Sequence, residues 1–373
     1  MSEYQYYEFR AIDKPLTEKQ LAEIGKISTR AELTETSFVN EYQYGDFKGS
    51  IKVFMEKYYD AFYYYANWGT AHLMLRFPLG VIDEKALQPY CCEDSLSYWK
   101  NESHLVVCFD FNDDSGADVP YDTRLSEYLP IRDELFRGDY RSLYLAWLHA
   151  AEYGLVDDDS LEPPVPPGLK KLSTAQRALA SFFCLRLGLV DAAAANSDHL
   201  SQEGSSEALT AWVAALPREV TDQWLIKMLE GDTRTQAEAM ARFRKDSRAV
   251  PPSTGTASRS AREILSLREE YEQQRSHRKA AEKVRKEVKE REQRLALWRG
   301  KEQQLWKDAE QLVRDNTKGG ELDRAIGYLV TLRDLATDDG WTDQFQARIQ
   351  AFRAQFPGRK AFLKSLDRSL MKS

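Results

Sequence analysis

A cluster of nine lysines and arginines in the last third of the chain has the residue types that bind phosphates or pair with carboxylates. It lies within twenty consecutive residues and consists of Arg275, Arg278, Lys279, Lys283, Arg285, Lys286, Lys289, Arg291 and Arg294. Such side chains neutralise nucleic-acid phosphates, which gives salt-sensitive, sequence-independent binding. Glutamates are interspersed three or four positions away, an arrangement that stabilises a solvated helix. The cluster therefore predicts either a solvated or coiled-coil face, or a helix that binds a phosphate backbone, and its nine residues are the candidates for binding a partner or a nucleic acid.

Tyrosines are concentrated near the N-terminus, where ten of the nineteen fall within the first 65 residues. We predict a helix from Ser50 to Trp68 that carries five of them: Tyr58, Tyr59, Tyr63, Tyr64 and Tyr65. Tyrosines on both sides of a helix exceed what one core face can absorb, and their polar tips suit a recognition surface. The alternatives are an aromatic surface for a partner or for stacked bases, and a helix buried on two sides.

Candidate metal ligands are present but poorly spaced. His104 and Cys108 share one face of a predicted strand, with His72 on another strand and the adjacent pair Cys91 and Cys92 nearby in sequence. Zinc sites usually have C-x-x-C or H-x-x-x-H spacing, and two adjacent cysteines do not easily point at one ion. We therefore interpret these side chains as packed imidazoles and thiols, and we expect no metal.

Catalytic signatures are absent from the sequence, including the phosphate-binding, dinucleotide-binding, nucleophile-elbow and zinc-protease motifs. The acidic loop from Asp110 to Asp122 matches a calcium-binding loop at three positions, but Ser115 stands where glycine is needed and Tyr121 where a glutamate is needed. We interpret it as a solvated acidic loop. We expect no catalytic residue and no cofactor, and an enzyme in the N-terminal domain is the third hypothesis.

The elements that would position these residues begin with alternating strands and helices. Residues 1–120 are predicted to form, in order, strand, helix, strand, helix, strand, helix, strand, strand. Thr17 with Gln20 opens the first helix as a capping box, and Ser173 with Gln176 is a second capping box that opens a later helix. Strands separated by helices imply crossover connections and a mixed sheet covered by helices. We predict an α+β fold with an N-terminal mixed α/β sandwich domain, then an all-α domain, a long helix or coiled coil, and a C-terminal helical hairpin.

Composition shifts divide the chain into segments. Closely spaced prolines after Glu162 force an extended spacer, and a run rich in serine and threonine marks a second, flexible linker. The predicted segments are an α+β domain (1–120), a helical extension (121–160), a proline-rich linker (161–172), a small all-α domain (173–248), a flexible linker (249–260), a long charged helix (261–315) and a helical hairpin plus terminal helix (316–373).

The net charge of −7 is divided unevenly along the chain. Residues 1–240 have a net charge of −17, whereas residues 241–373 have a net charge of +10. The basic part therefore attracts a nucleic acid, an acidic partner or the acidic part of its own molecule. Four cysteines do not make a disulfide scaffold, and we find neither a signal peptide nor a long apolar run, so we expect a cytoplasmic protein without a membrane segment.

Several motifs resemble those of a family of uncharacterised bacterial proteins. They are EYQYYEFRAID at 3–13, SFVNE at 37–41, GDFKG at 45–49 and EPPVPPGL at 162–169. The resemblance extends through the C-terminal hairpin and covers most of the chain. It implies a bacterial, cytosolic protein and supplies no catalytic residues.

Our preferred hypothesis is a non-enzymatic scaffold or adaptor that holds protein partners through the long helix and the aromatic N-terminal surface. Oligomerisation through the long helix is compatible with this hypothesis, because apolar residues follow heptad spacing in its second half. The alternative is a nucleic-acid-associated protein that binds a phosphate backbone through residues 275–294. The partner itself is not identified by any motif.

Overall fold

The computed structural model describes residues 3–28, 30–112, 123–199, 206–230, 232–246, 259–315 and 319–371. Most of the predicted acidic loop 110–122 and nearly all of the predicted flexible linker 249–260 lie outside the described residues. The chain divides into two compact units, residues 1–275 and residues 276–373. The sequence alone predicts its main boundaries elsewhere, at 161–172 and 249–260.

A seven-stranded sheet forms the centre of the first unit. The strands are β1 (Gln5–Arg10), β2 (Glu32–Leu33), β3 (Ser37–Tyr42), β4 (Ala61–Ala66), β5 (Thr70–Pro78), β6 (Leu96–Lys100) and β7 (His104–Asn112). Their order is β2-β3-β1-β4-β5-β7-β6, and every neighbouring pair is antiparallel. β3 and β4 run parallel to each other, as a strand-helix-strand connection predicts, but β1 lies between them. The α+β fold class is confirmed, whereas the sheet is antiparallel and not mixed.

Helices cover both faces of this sheet. Those of the first unit are α1 (Glu18–Gly25), α2 (Ile51–Lys57), α3 (Glu84–Leu87), α4 (Leu129–Phe136), α5 (Arg141–Glu152), α6 (Thr174–Phe182), α7 (Leu187–Ala194), α8 (Ser206–Ala215), α9 (Arg218–Leu229) and α10 (Thr233–Asp246). Apolar residues of α1 and α2 pack on one face, and those of α4 to α7 pack on the other. The predicted capping boxes at the starts of α1 and α6 are both present. Because α6 and α7 share one core with the sheet, the start of the predicted all-α segment 173–248 packs on the sheet.

The predicted helix from Ser50 to Trp68 is wrong over its second half. α2 ends at Lys57, and Ala61–Ala66 forms the central strand β4. All six residues of β4 are buried, because successive side chains enter the cores on opposite faces of the sheet. A strand buried on both faces shows no alternation of apolar and polar residues, so its sequence does not separate it from a buried helix.

The proline-rich segment 161–172 is packed within the first unit, against its other elements. Leu161 forms an isolated bridge with Ser260, and the Glu162 carboxylate is buried against Arg259 and Tyr144. Leu169 belongs to the core on the face of the sheet that α4 to α7 cover. The prolines therefore shape a surface-bound segment whose buried contacts fix both of its ends.

The predicted continuous helix over 261–315 is interrupted. α11 (Ala261–Trp298) and α12 (Glu302–Asp315) are separate helices, and Gly300 between them has a φ of +82°. Glycine adopts this left-handed conformation without the steric cost of a Cβ, which is why it ends helices so often. The break allows α12 to pack along α13, the first helix of the C-terminal hairpin.

The second unit is a small helical bundle. After the C-terminal part of α11 it contains α12, α13 (Gly319–Asp338), α14 (Thr342–Gln355) and α15 (Lys360–Leu370). The hairpin turn between α13 and α14 includes Gly340, with a φ of +77°. Its core is built around Trp306, which contacts the rings of Phe345 and Phe352.

Gly188 lies where α7 packs against α11, and its replacement by alanine is expected to lower the free energy of unfolding of the first unit by about 1–3 kcal/mol. A Cβ at this position would lie 2.8 Å from the Glu272 backbone nitrogen and 2.9 Å from the Arg268 carbonyl oxygen. Both atoms belong to helix backbone, so neither can move away cheaply. Urea denaturation of Gly188→Ala measures the loss.

The matched control for this substitution is Gly25→Ala. The added Cβ at Gly25 would meet only a Leu33 side-chain atom at 4.0 Å. We expect this control to change stability by less than about 1 kcal/mol, in either direction. Equal losses for the two variants would contradict the close approach of α7 and α11.

Candidate interaction surface on helix α11

The longest helix of the described residues, α11, begins with a reciprocal cap. The Ser260 backbone N–H donates to Glu263 Oε2 at 2.7 Å, and the Glu263 N–H donates to Ser260 Oγ at 3.3 Å. The backbone N–H and the hydroxyl of Ser260 both donate to the Glu263 carboxylate, and these two hydrogen bonds lower the pKa of Glu263. The helix then runs for 38 residues without proline or glycine, because strong helix formers dominate its sequence.

The first part of α11, residues 261–275, belongs to the first unit and is well packed. Ala261 and Ile264 are buried in the core on the face of the sheet that α4 to α7 cover. Glu272 Oε2 accepts a hydrogen bond of 2.6 Å from the Gly188 N–H. Arg275 donates from Nη1 to Asp191 Oδ2 at 2.8 Å. The first residue of the predicted basic site therefore pairs with a carboxylate of its own unit.

The next part of α11, residues 276–290, is exposed along its whole length. All fifteen residues are exposed, and they make about four helical turns. The exposed fractions of Val284 and Val288 are 58% and 50%. Ala281, Val284 and Val288 follow the spacing i, i+3, i+7 and so lie along one side of the helix. We call these three residues the α11 strip.

The remaining predicted basic residues have two different environments. Arg291 donates to Asp338 Oδ1 at 2.9 Å, and Arg294 donates to Asp334 Oδ2 at 2.7 Å. Lys283 and Lys286 face Glu287 and Glu290 one turn later, at 4.0 Å and 3.7 Å. The other four are also exposed, and for three of them the described part of the chain shows no ion pair: Lys279, Arg285 and Lys289. Arg278 is exposed as well.

The predicted aromatic surface is wrong. Tyr59, Tyr63, Tyr64 and Tyr65 are buried, and Tyr58 is half-buried and donates to Glu23 Oε2 at 2.9 Å. Burial raises the pKa values of Tyr59, Tyr63 and Tyr64 far above that of free tyrosine. Tyr63 and Tyr65 belong to the core on one face of the sheet, and Tyr59 and Tyr64 belong to the core on the other, against which Tyr58 packs. These five side chains therefore offer no platform for bases or partners.

The most enzyme-like pair of the first unit is Ser95 with His149, and its geometry does not suit nucleophilic catalysis. Ser95 Oγ lies 2.8 Å from His149 Nδ1 and donates to the Ala146 carbonyl oxygen at 2.7 Å. Because the hydroxyl hydrogen points at the carbonyl, the serine accepts from the imidazole, the reverse of an activated nucleophile. Both residues are fully buried, and the His149 ring stacks on Phe183.

The candidate metal ligands are dispersed. His72 Nδ1 lies 2.7 Å from Asp110 Oδ1, and its ring stacks on Tyr64. Burial raises the pKa of Cys91 to about 11, which disfavours the thiolate that a metal or a redox reaction needs. Among the described residues no group of three His, Cys, Asp or Glu side chains is placed to hold an ion.

Sequence reasoning missed an exposed apolar patch on α9. Leu225, Ile226, Met228 and Leu229 are all exposed, although Trp224 of the same helix stacks on Trp212 of α8. The signal was present in the sequence, because the apolar residues of α9 spread around the whole helix and exceed one core-facing stripe. Contiguous apolar side chains of this size are typical of an interaction surface.

Comparisons with protein-family models, with curated proteins and with solved structures find no match to this chain. None of the helices in the described ranges combines the length and the apolar character that crossing a bilayer requires. Residues 276–290 present nine exposed charged side chains, six of them lysines or arginines and three of them glutamates.

Proposed function

We propose that this chain is a non-enzymatic, cytoplasmic scaffold or adaptor that binds a protein partner through the exposed part of α11. The observation that carries the proposal is the α11 strip, in which Val284 and Val288 are half or more exposed at helical spacing. Full burial of a valine contributes about 1.5–3 kcal/mol, so covering the strip favours association. The buried tyrosines make no contribution to the proposed surface.

The alternative function, phosphate binding by residues 275–294, has weaker support. Three of the nine basic residues, Arg275, Arg291 and Arg294, pair with aspartates of their own units. Glutamates accompany two more. Phosphate binding also leaves the strip without a role, since a phosphate backbone has no apolar surface to cover two valines. A protein helix covers valines and pairs with lysines at once.

The proposal is tested by capture from a nuclease-treated lysate of the source cells with the full chain as bait. We expect Val284→Asp combined with Val288→Asp to reduce recovery of a specific protein at least about tenfold, because each aspartate places a charge in the apolar contact. Quantitative mass spectrometry of the bound fraction measures the reduction.

The matched control combines Ser276→Asp with Gln293→Asp. Both positions are exposed, lie off the α11 strip and add the same two negative charges. We expect this variant to retain most of the recovery. Equal losses in the two variants, or material that is recovered only without nuclease, would contradict the proposal, and the second outcome would favour the nucleic-acid alternative.

A further inference from the structure

The chemistry of the molecule that covers the α11 strip can be deduced from the end of α11 that is already covered. Ala281, Val284 and Val288 are followed at the same heptad positions by Leu295 and Trp298. Leu295 is buried in the core of the second unit, and the Trp298 ring meets Tyr328 of α13 edge-on at 5.8 Å. This apolar side of α11, which Arg291 interrupts at the heptad position between Val284 and Trp298, is therefore covered at its C-terminal end and open over residues 281–288.

Helix α13 shows what kind of helix covers this side. Asp334 and Asp338 are four residues apart and lie on one face of α13. Asp334 accepts from Arg294 at 2.7 Å, and Asp338 accepts from Arg291 at 2.9 Å. An amphipathic helix with carboxylates one turn apart thus pairs with the arginines beside the apolar side.

The cover ends where α13 ends. α13 stops at Asp338, and the turn through Gly340 directs the chain into α14. On the N-terminal side of Arg291, no described residue covers the strip, and basic residues lie at its other edge. Arg285 borders the strip, because it lies four residues after Ala281 and three before Val288, and Lys289 follows one turn later; the described ranges show no ion pair for either. Two carboxylates one turn apart on a bound helix would form ion pairs with Arg285 and Lys289.

We infer that the occupant of the α11 strip is an acidic amphipathic helix of another protein, with an apolar side and carboxylates one turn apart that pair with Arg285 and Lys289. The inference rests on the proposed function. The occupant is not a second copy of the same stretch, because residues 276–290 contain six lysines and arginines against three glutamates. Two copies side by side would bring like charges together.

The test uses two labelled synthetic helices of three heptads each, with leucine at the apolar positions and either glutamate or lysine at all flanking positions. Fluorescence anisotropy measures their binding to the full chain. We expect the glutamate helix to bind at least about tenfold more tightly than the lysine helix, and this preference to fall as salt is raised. Val284→Asp with Val288→Asp should remove binding of the glutamate helix.

A charge reversal distinguishes a specific contact from general attraction. Arg285→Glu with Lys289→Glu should reverse the preference, so that the lysine helix binds more tightly. The matched control, Lys279→Glu with Lys283→Glu, changes the charge equally away from the strip and should keep the preference for the glutamate helix. Unchanged preference after the first reversal, or equal effects of the two reversals, would overturn the inference.

Failure of this inference differs from failure of the proposed function. If capture from the lysate depends on the strip but the glutamate helix binds no better than the lysine helix, the inference is overturned and the proposed function stands. If light scattering shows a dimer of the wild type that Val284→Asp with Val288→Asp converts to a monomer, the occupant is a second copy, which also overturns the inference. Absence of strip-dependent capture overturns both.

Discussion

Replacing Arg259 by methionine is expected to lower the free energy of unfolding of the first unit by about 3–5 kcal/mol. The side chains of Arg259 and Glu162 are 14% and 2% exposed, and two hydrogen bonds of 2.8 Å and 3.0 Å join the guanidinium to the carboxylate. Arg259 also donates to the Ala192 carbonyl oxygen at 3.0 Å. Without the guanidinium, the Tyr144 hydroxyl is the one side-chain donor that the described residues still offer to the buried Glu162 carboxylate.

This ion pair matters for α11 because Arg259 lies two residues before the helix starts. It fixes the chain next to the bridge between Leu161 and Ser260, from which α11 departs. Urea denaturation, followed through hydrogen exchange of peptides from the sheet, measures the stability of this unit alone. The double variant Glu162→Gln with Arg259→Met should recover at least about half of the loss, because no unpaired charge then remains buried. A loss below about 1 kcal/mol in Arg259→Met would contradict the assignment.

Replacing Asp60 by alanine should have an effect of similar size, about 3–5 kcal/mol, on the same unit. Asp60 is fully buried at the junction of α2 and β4, and its Oδ1 accepts from Arg76 at 2.6 Å and 3.0 Å. Its Oδ2 accepts from the backbone N–H groups of Ile12 and Asp13 at 2.6 Å and 2.9 Å. Alanine leaves the Arg76 guanidinium without its carboxylate and two backbone donors without an acceptor.

The conservative variant Asp60→Asn separates the charge from the hydrogen bonds. It keeps two acceptor positions on one oxygen but removes the negative charge, so a smaller loss than that of Asp60→Ala is expected. The same denaturation experiment measures both variants. Equal stability of Asp60→Ala and the wild type would show that this cluster does not hold β1, β4 and β5 together.

Local signals in the sequence predicted local structure well. The capping boxes at Thr17 and Ser173 mark real helix starts, because the reciprocal hydrogen bonds involve only residues three positions apart. The α+β class followed from the alternation of strand and helix patterns. The order of the strands cannot be predicted from these local patterns. β1 lies between β3 and β4, and this placement depends on contacts between residues far apart in sequence.

The prediction of a single helix from Ser50 to Trp68 is wrong for a physical reason. Ile51, Phe54, Met55, Tyr58 and Phe62 match helical spacing, and the match continues by chance into a strand that is apolar throughout. Such a strand loses the period of two, so the burial of Tyr63 and Tyr64 on opposite faces is visible only once the sheet exists. The aromatic surface was wrong because the segment is a central strand.

The sequence shows the basic cluster, but it does not show which of the basic residues form ion pairs within the chain. Arg291 and Arg294 pair with aspartates 47 and 40 residues further on, after the break at Gly300 and the reversal of the chain. Local composition cannot show that Gly300 ends a helix, since a glycine is tolerated inside many helices. The exposure of Val284 and Val288 likewise depends on where α13 ends.

Photo-crosslinking tests the central claim most directly. A photoreactive side chain is placed at position 284 on the α11 strip, or at position 286 on the opposite side of the helix, in the full chain within the source cells. We predict a discrete protein adduct from position 284, which an excess of the glutamate helix suppresses in lysate, and no such adduct from position 286. Equal adducts from both positions, or adducts formed only with nucleic acid, would contradict partner binding through the strip.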